Sequence, residues 1–217
     1  TLVSFNGTNG SFPGGGLTLA TDGNFYGTTS GGGDFGEGTV FRITTNGALT
    51  TLASFNPSGG YSPVGRLLQA SDGNFYGTSL SSGAYGYGTV FQVTTNGTFT
   101  VLVSFDNTNG GLLFAGLVQG ADGNLYGTTA RGGSRAGGNI FRIVLPPVIQ
   151  LSAVNNGKLT FTWSATSGRN YQVQYLNDLG QNNWKNVASV TATNSVGTIS
   201  DVLNGDSQRF YRVVLMP

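Results

Sequence analysis

The chain has 217 residues, 37 of them glycine, and carries 10 Lys and Arg against 9 Asp and Glu, with no Cys and no His. Glycine is more than twice as frequent, and charge about a third as frequent, as in ordinary globular proteins, yet 38% hydrophobic and 12% aromatic residues supply the core that a disordered chain lacks. Without His or Cys the commonest general base, thiol nucleophiles, disulfides and thiolate metal sites are excluded, and neither a reaction nor a cofactor is expected.

Read from its start, the chain repeats itself every fifty residues. TLVSF at Thr1, TLASF at Thr51 and VLVSF at Val101 share one register, as do TDGNFYGTT from Thr21, SDGNFYGTS from Ser71 and ADGNLYGTT from Ala121, and GTVFRI from Gly38, GTVFQV from Gly88 and GNIFRI from Gly138. The copies span residues 1–50, 51–100 and 101–145, the third ending just before Pro146-Pro147. A fixed period decides the architecture, so it outranks local propensity.

Each unit predicts four short strands, at Leu2 to Phe5, Leu17 to Ala20, Asn24 to Thr29 and Thr39 to Ile43. Asp22-Gly23 joins the second strand to the third, and Asn46-Gly47 joins the fourth to the first strand of the next copy, as dipeptides that supply positive φ in tight hairpins. The other two connections, Asn6 to Gly16 and Ser30 to Gly38, are long, glycine-rich and the most variable. Bulky apolar residues that recur in register, Leu2, Phe5, Phe41, Phe55, Phe91, Phe105 and Phe141, are the predicted core of this region.

Four antiparallel strands recurring at this length are the pattern of propeller blades. The run DGNFYGTT, then GG, then GTVFRITTNG resembles the GloVer-type tandem repeats of secreted bacterial proteins. That resemblance implies a propeller-like, surface-exposed scaffold without catalytic residues. A β-trefoil is the structural alternative, because three such units also fit its size. A closed ring would pair Thr1 to Phe5 with Asn139 to Val144; an open array would offer both ends to neighbouring chains.

Beyond Pro146-Pro147 the spacing changes. Strands are predicted at Val148 to Val154, Lys158 to Ser164, Tyr171 to Leu176, Trp184 to Val190, Thr198 to Leu203 and Arg209 to Leu215, with turns at Asn156-Gly157, Ser167-Gly168 and Asn204-Gly205, which together predict a small β-sandwich over residues 148–217. KLTFTWSA, NYQVQYLND, NWKNV and QRFYRVV resemble a fibronectin type III-like domain, with Trp163, Tyr171, Tyr175 and Tyr211 as the marks. The resemblance implies a seventh strand, so the apolar edge of Arg209 to Leu215 is expected to be unpaired.

Several residues invite a functional reading. Asp22, Asp72 and Asp122 each offer one carboxylate where calcium needs six to eight oxygens, so they are read as hairpin-turn acceptors. Paired glycosidase carboxylates are not expected, since Glu37 is the only Glu. The glycine runs at Gly14 and Gly31 precede neither a Lys-Ser/Thr nor a predicted helix, and are read as permissive loops. Phe35, Tyr61, Tyr85 and Tyr87 sit in variable loops, where an aromatic either fills a gap or stacks on a sugar or partner. Arg131 and Arg135 are read as solvated or as interface residues, and the Asn-Gly-Thr/Ser triplets at Asn6, Asn9 and Asn96 as turns.

With no basic cluster and no long apolar run, neither nucleic acid nor membrane insertion is expected. Low charge, abundant small polar residues and no Cys predict a secreted, extracellular or cell-surface protein. Its expected role is structural or adhesive, with self-association through strands at Leu2, Val3 and Phe5 and at Phe210, Tyr211, Val213 and Leu215, by strand addition. A carbohydrate- or surface-polymer-binding repeat module is the alternative.

Overall fold

The structure, a computed structural model, describes residues 1–194, 196–203, 205–206 and 208–216, with the backbone alone at 150–152. The predicted turn at Asn204-Gly205 includes Asn204, which lies outside the described residues. Every regular element among the described residues is a strand. The chain divides into two compact units, Thr1–Gln119 with Leu125–Ile143, and Gly120–Asn124 with Val144–Pro217.

In the first unit, β1 (Thr18–Leu19), β2 (Phe25–Thr29), β3 (Thr39–Ile43) and β4 (Leu49–Ser54) form one antiparallel sheet in the order β1-β2-β3-β4. The second repeat does the same with β5 (Leu68–Gln69), β6 (Phe75–Ser79), β7 (Thr89–Val93) and β8 (Phe99–Ser104). The third stops at three strands, β9 (Val118–Gln119), β10 (Leu125–Thr129) and β11 (Asn139–Ile143), in the order β11-β10-β9. Neighbouring strands in sequence are neighbours in each sheet because the links are tight: the Gly23 amide donates to the Ala20 carbonyl and the Gly47 amide to that of Thr44, with both glycines at positive φ. No sheet among the described residues is shared by all three repeats, as the barrel of a trefoil would require.

The outer strand of each four-stranded sheet comes mostly from the start of the following copy: β4 pairs with β3 and β8 with β7. After that strand the chain turns inward, and Phe55 packs edge-on to Phe91 in its own copy with ring centroids 4.9 Å apart. Phe105 meets Phe141 at 5.1 Å, and Phe5 meets Phe41 at 5.1 Å. The middle strand β6 is buried on both faces, because it is covered on either side instead of having one wet face. Tyr26, Val40, Phe55, Phe75, Phe91 and Val93 share one core cluster. Each fully buried side chain of this size contributes about 1.5–3 kcal/mol relative to exposure.

One core assignment is corrected. Leu2 is 65% exposed, and Thr1 to Asn6 forms no strand. The equivalent β4 and β8 are strands because a preceding sheet pairs with them; among the described residues the first copy has none. Phe5 and Phe141 are only partly buried, while Phe41, Phe55, Phe91 and Phe105 are buried as predicted.

The second unit has two three-stranded antiparallel sheets. One runs β12 (Ile149–Asn155), β13 (Lys158–Ser164), β16 (Val196–Val202), and the other β15 (Lys185–Thr191), β14 (Asn170–Leu176), β17 (Phe210–Leu215). Between them lie Phe161, Trp163, Tyr171 and Val173. Trp163 is fully buried, with its indole laid over Gly197, where a Cβ would collide with the ring.

Candidate assembly surfaces

The repeats meet through contacts of which several occur twice in the first unit at corresponding positions. The Ser62 amide donates to the Glu37 carbonyl, and the Leu112 amide to that of Tyr87. The Thr28 hydroxyl donates to the Pro63 carbonyl, and its equivalent Thr78 donates to the Ala115 carbonyl, two residues further along the following copy. Gln69 bridges to Thr21, accepting from its amide at 2.9 Å and donating to its hydroxyl at 3.2 Å. Gln119 bridges to Ser71 in the same way at 2.9 and 3.1 Å. Tyr26 stacks on Phe75 with centroids 3.9 Å apart.

Burial at these positions depends on whether a next repeat is present. Val40 and Val90 are fully buried, whereas Ile140 at the same position is 80% exposed. Thr28 and Thr78 are buried and Thr128 is exposed. On the opposite flank Leu67 and Leu117 are buried, whereas Leu17 is 48% exposed. Phe12, equivalent to Ser62 and Leu112, is 77% exposed, and its amide has no partner among the described residues. All three of these residues adopt positive φ, a conformation uncommon for Phe and Leu.

The outer edge of β11, unpaired among the described residues, is the third-repeat counterpart of the edges that β4 and β8 cover. The predicted assembly strand at Leu2, Val3 and Phe5 stands against the first repeat as β4 stands against the second: a Cβ on Gly47 would meet the Leu2 carbonyl, and one on Gly97 that of Leu52. The other predicted assembly strand is β17, with Phe210, Tyr211, Val213 and Leu215; among the described residues it pairs only with β14. Phe161, Phe210, Tyr211 and Trp184 line an apolar cleft of about 510 Å³ in this unit. The Arg209 guanidinium is bonded to Asp201 and Asp206 and lies 4.4 Å over the Tyr175 ring. Burial lowers the tendency of Arg209 to stay charged, but its bonds to Asp206, Tyr211 and Asp201 prevail and hold it above its ordinary value. Burial and the hydrogen bond to Asp201 push the Tyr211 phenol up to about 12.

The predicted loop residues do not converge on one site. Phe35 and Tyr85 occupy the same loop tip in successive copies, 59% and 62% exposed, and Arg135 holds that position in the third, also exposed. Tyr61 pairs with Ser81 across the two long loops and is 43% exposed. Tyr87 instead serves the junction of the second and third repeats, its carbonyl accepting from Leu112, while Arg131 bridges Gly111 at the loop base.

The acidic turns are built as local acceptors. Asp22 Oδ1 accepts from the Asn24 amide, and Oδ2 from Asn24 Nδ2 and the Tyr26 hydroxyl at 2.8 Å. Asp72 repeats this with Asn74 and Tyr76, and Asp122 accepts from Asn124. Burial pushes the Asp22 carboxyl up, but the Asn24 and Tyr26 bonds with the nearby Arg42 outweigh it and hold it below the usual carboxylate value. Among the described residues no three acidic side chains gather as a metal site. The Gln bridges were not legible as sites; their only signal was Gln at 69 and 119 opposite hydroxyl residues at 21 and 71.

The family model of the Gloeobacter/Verrucomicrobia repeat matches residues 1–200. No curated protein matches the chain. Among solved structures, a gluconolactonase from Xanthomonas campestris is 12% identical at a TM-score of 0.41, over 93% of this chain and 71% of its own. A glycoside hydrolase is 10% identical at 0.35, over 93% of this chain and 66% of its own. No property of either carries over to this chain.

Proposed function

The chain belongs to the Gloeobacter/Verrucomicrobia repeat family, and from that premise we propose that it is a non-catalytic extracellular structural or adhesive protein that self-associates through its unpaired strands. The observation that carries this reading is the exposure of Ile140 at the free edge of β11, at a position fully buried in both preceding repeats. A blade flank that is apolar and hydrogen-bond-ready is a template for another chain, since main-chain pairing supplies affinity. Repeating such a head-to-tail contact builds a ring or a filament.

A non-catalytic role is supported by the residue inventory: no His, no Cys and one Glu, Glu37, with the acidic turns committed to backbone and tyrosine partners. The second unit, read as a fibronectin type III-like sandwich on the strength of Trp163, Tyr171 and Tyr211, presents a further edge at β17. Secretion rests on composition.

A second reading, binding to carbohydrate or a surface polymer, is favoured by the exposed Phe35 and Tyr85 at one loop tip in successive repeats, since aromatic faces stack on sugars. Sedimentation and electron microscopy of the chain separate the two. Concentration-dependent oligomers or fibres support assembly. Monomers at every concentration, retained on an immobilised polysaccharide and released by Phe35→Ala/Tyr85→Ala, overturn it in favour of the second reading.

A further inference from the structure

We infer that Asn156 is a site of self-modification, at which the Gly157 amide nitrogen converts the asparagine side chain, through a cyclic imide, to aspartate or isoaspartate. The reaction needs an Asn whose side chain can swing onto the next amide nitrogen, followed by a residue without a Cβ to obstruct the approach. Among the described residues the Asn-Gly pairs begin at Asn6, Asn9, Asn46, Asn96, Asn109 and Asn156. All of them meet the sequence requirement, so their surroundings decide which one reacts.

The first five are held. Asn6 Oδ1 accepts from the Thr8 hydroxyl and the Asn9 amide, and Asn9 Oδ1 from the Asn6 amide. Asn46 and Asn96 accept from the hydroxyls of Thr44 and Thr94, and Asn109 from the Asp106 amide. The attacking nitrogen is engaged as well in four of these pairs: the Gly7 and Gly10 amides donate to each other's carbonyls, and those of Gly47 and Gly97 to the carbonyls of Thr44 and Thr94. Attack at these sites must break such bonds, so it waits on a local opening of the turn.

Asn156 differs on both counts. Asn155 opposes Lys158 across the β12–β13 hairpin, which leaves Asn156-Gly157 as a two-residue turn. Both residues have positive φ and both are exposed. Among the described residues the Asn156 side chain makes no hydrogen bond and the Gly157 amide has no acceptor. The side chain is free to rotate, and the amide can give its proton to solvent hydroxide.

Water is the only co-reactant. The deprotonated Gly157 nitrogen bonds to Asn156 Cγ, the Cγ–Nδ2 bond breaks, and Nδ2 takes up a proton and leaves as ammonia. Water then adds to either carbonyl of the imide. Breaking the new bond gives aspartate, whereas breaking the original peptide bond routes the backbone through Cγ and gives isoaspartate. Either product places a carboxylate two residues from Lys158, and isoaspartate lengthens the turn by a methylene. The turn fixes the register of β12 on β13, and the Gly157 carbonyl accepts from the Leu203 amide, so the change falls where β12, β13 and β16 are tied together.

The native chain is incubated in mildly alkaline buffer and digested, and mass spectrometry follows conversion of amide to carboxylate at each Asn-Gly pair. Enzymatic methylation of isoaspartate identifies that product. Conversion at Asn156 should be at least about tenfold faster than at any other pair, because the others react only through local opening. In concentrated urea, where the turns are lost and local sequence alone remains, the rates should come within about threefold of one another. A smaller lead in the folded chain overturns the inference. So does a tenfold lead that persists in urea, since it would arise from sequence and not from the free turn.

Discussion

Gly77 and Phe91 lie directly opposite each other across β6 and β7, and the tip of the Phe91 ring occupies the space that a Cβ on Gly77 would need. The same relationship joins Gly27 to Phe41 and Gly127 to Phe141. The invariant glycine in each Tyr-Gly-Thr run therefore reserves room for the aromatic ring of the neighbouring strand.

Gly77→Ala should destabilise the first unit by about 1–3 kcal/mol through overpacking, and Phe91→Ala by about 3–5 kcal/mol. In the Phe91→Ala background the alanine at 77 should cost less, because the ring it strikes is gone and only the end of the Leu67 side chain is left to give way. Urea denaturation of the four chains in a double-mutant cycle measures this coupling. Additive losses would refute the steric account.

Asp72 gathers the Asn74 amide, Asn74 Nδ2 and the Tyr76 hydroxyl. Asp72→Ala removes a charged acceptor and should cost about 1.5–3 kcal/mol. Asp72→Asn, which retains one carbonyl oxygen for the Asn74 amide, should cost less. Denaturation midpoints at neutral pH check the order.

Because these carboxylates are committed to local donors, metal chelation should leave folding unchanged. A melting temperature that falls by several degrees in EDTA would return Asp22, Asp72 and Asp122 to consideration as calcium ligands.

Tyr211, raised to about 12 by burial and its bond to Asp201, holds its proton more tightly folded than unfolded, where a tyrosine titrates near 10. Its contribution to stability is thus complete below pH 10 and is lost as pH rises from 10 to 12. Burial and the Asp22 and Asp72 carboxylates also raise Tyr26 and Tyr76, so the first unit shares this alkaline loss. Thermal melts from pH 8 to 12 should fall above pH 10, and Tyr211→Phe should flatten the fall in the second unit.

Local chemistry made much of this protein legible. The fifty-residue period, the Asp-Gly and Asn-Gly turns and the strand positions follow from short segments whose preferences are the same wherever they occur, and Lys158 to Ser164 forms the strand that its alternation predicts. The Asp22 turn was readable for the same reason: its partners are two and four residues away. Tertiary structure decided what happens to identical segments with different neighbours. Val40, Val90 and Ile140 read alike, yet two are buried and one is exposed; TLVSF and TLASF read alike, yet only the second is a strand. Burial and strand pairing at those positions are conferred by the adjoining repeat, and a residue carries no local sign of whether that neighbour is there to cover it.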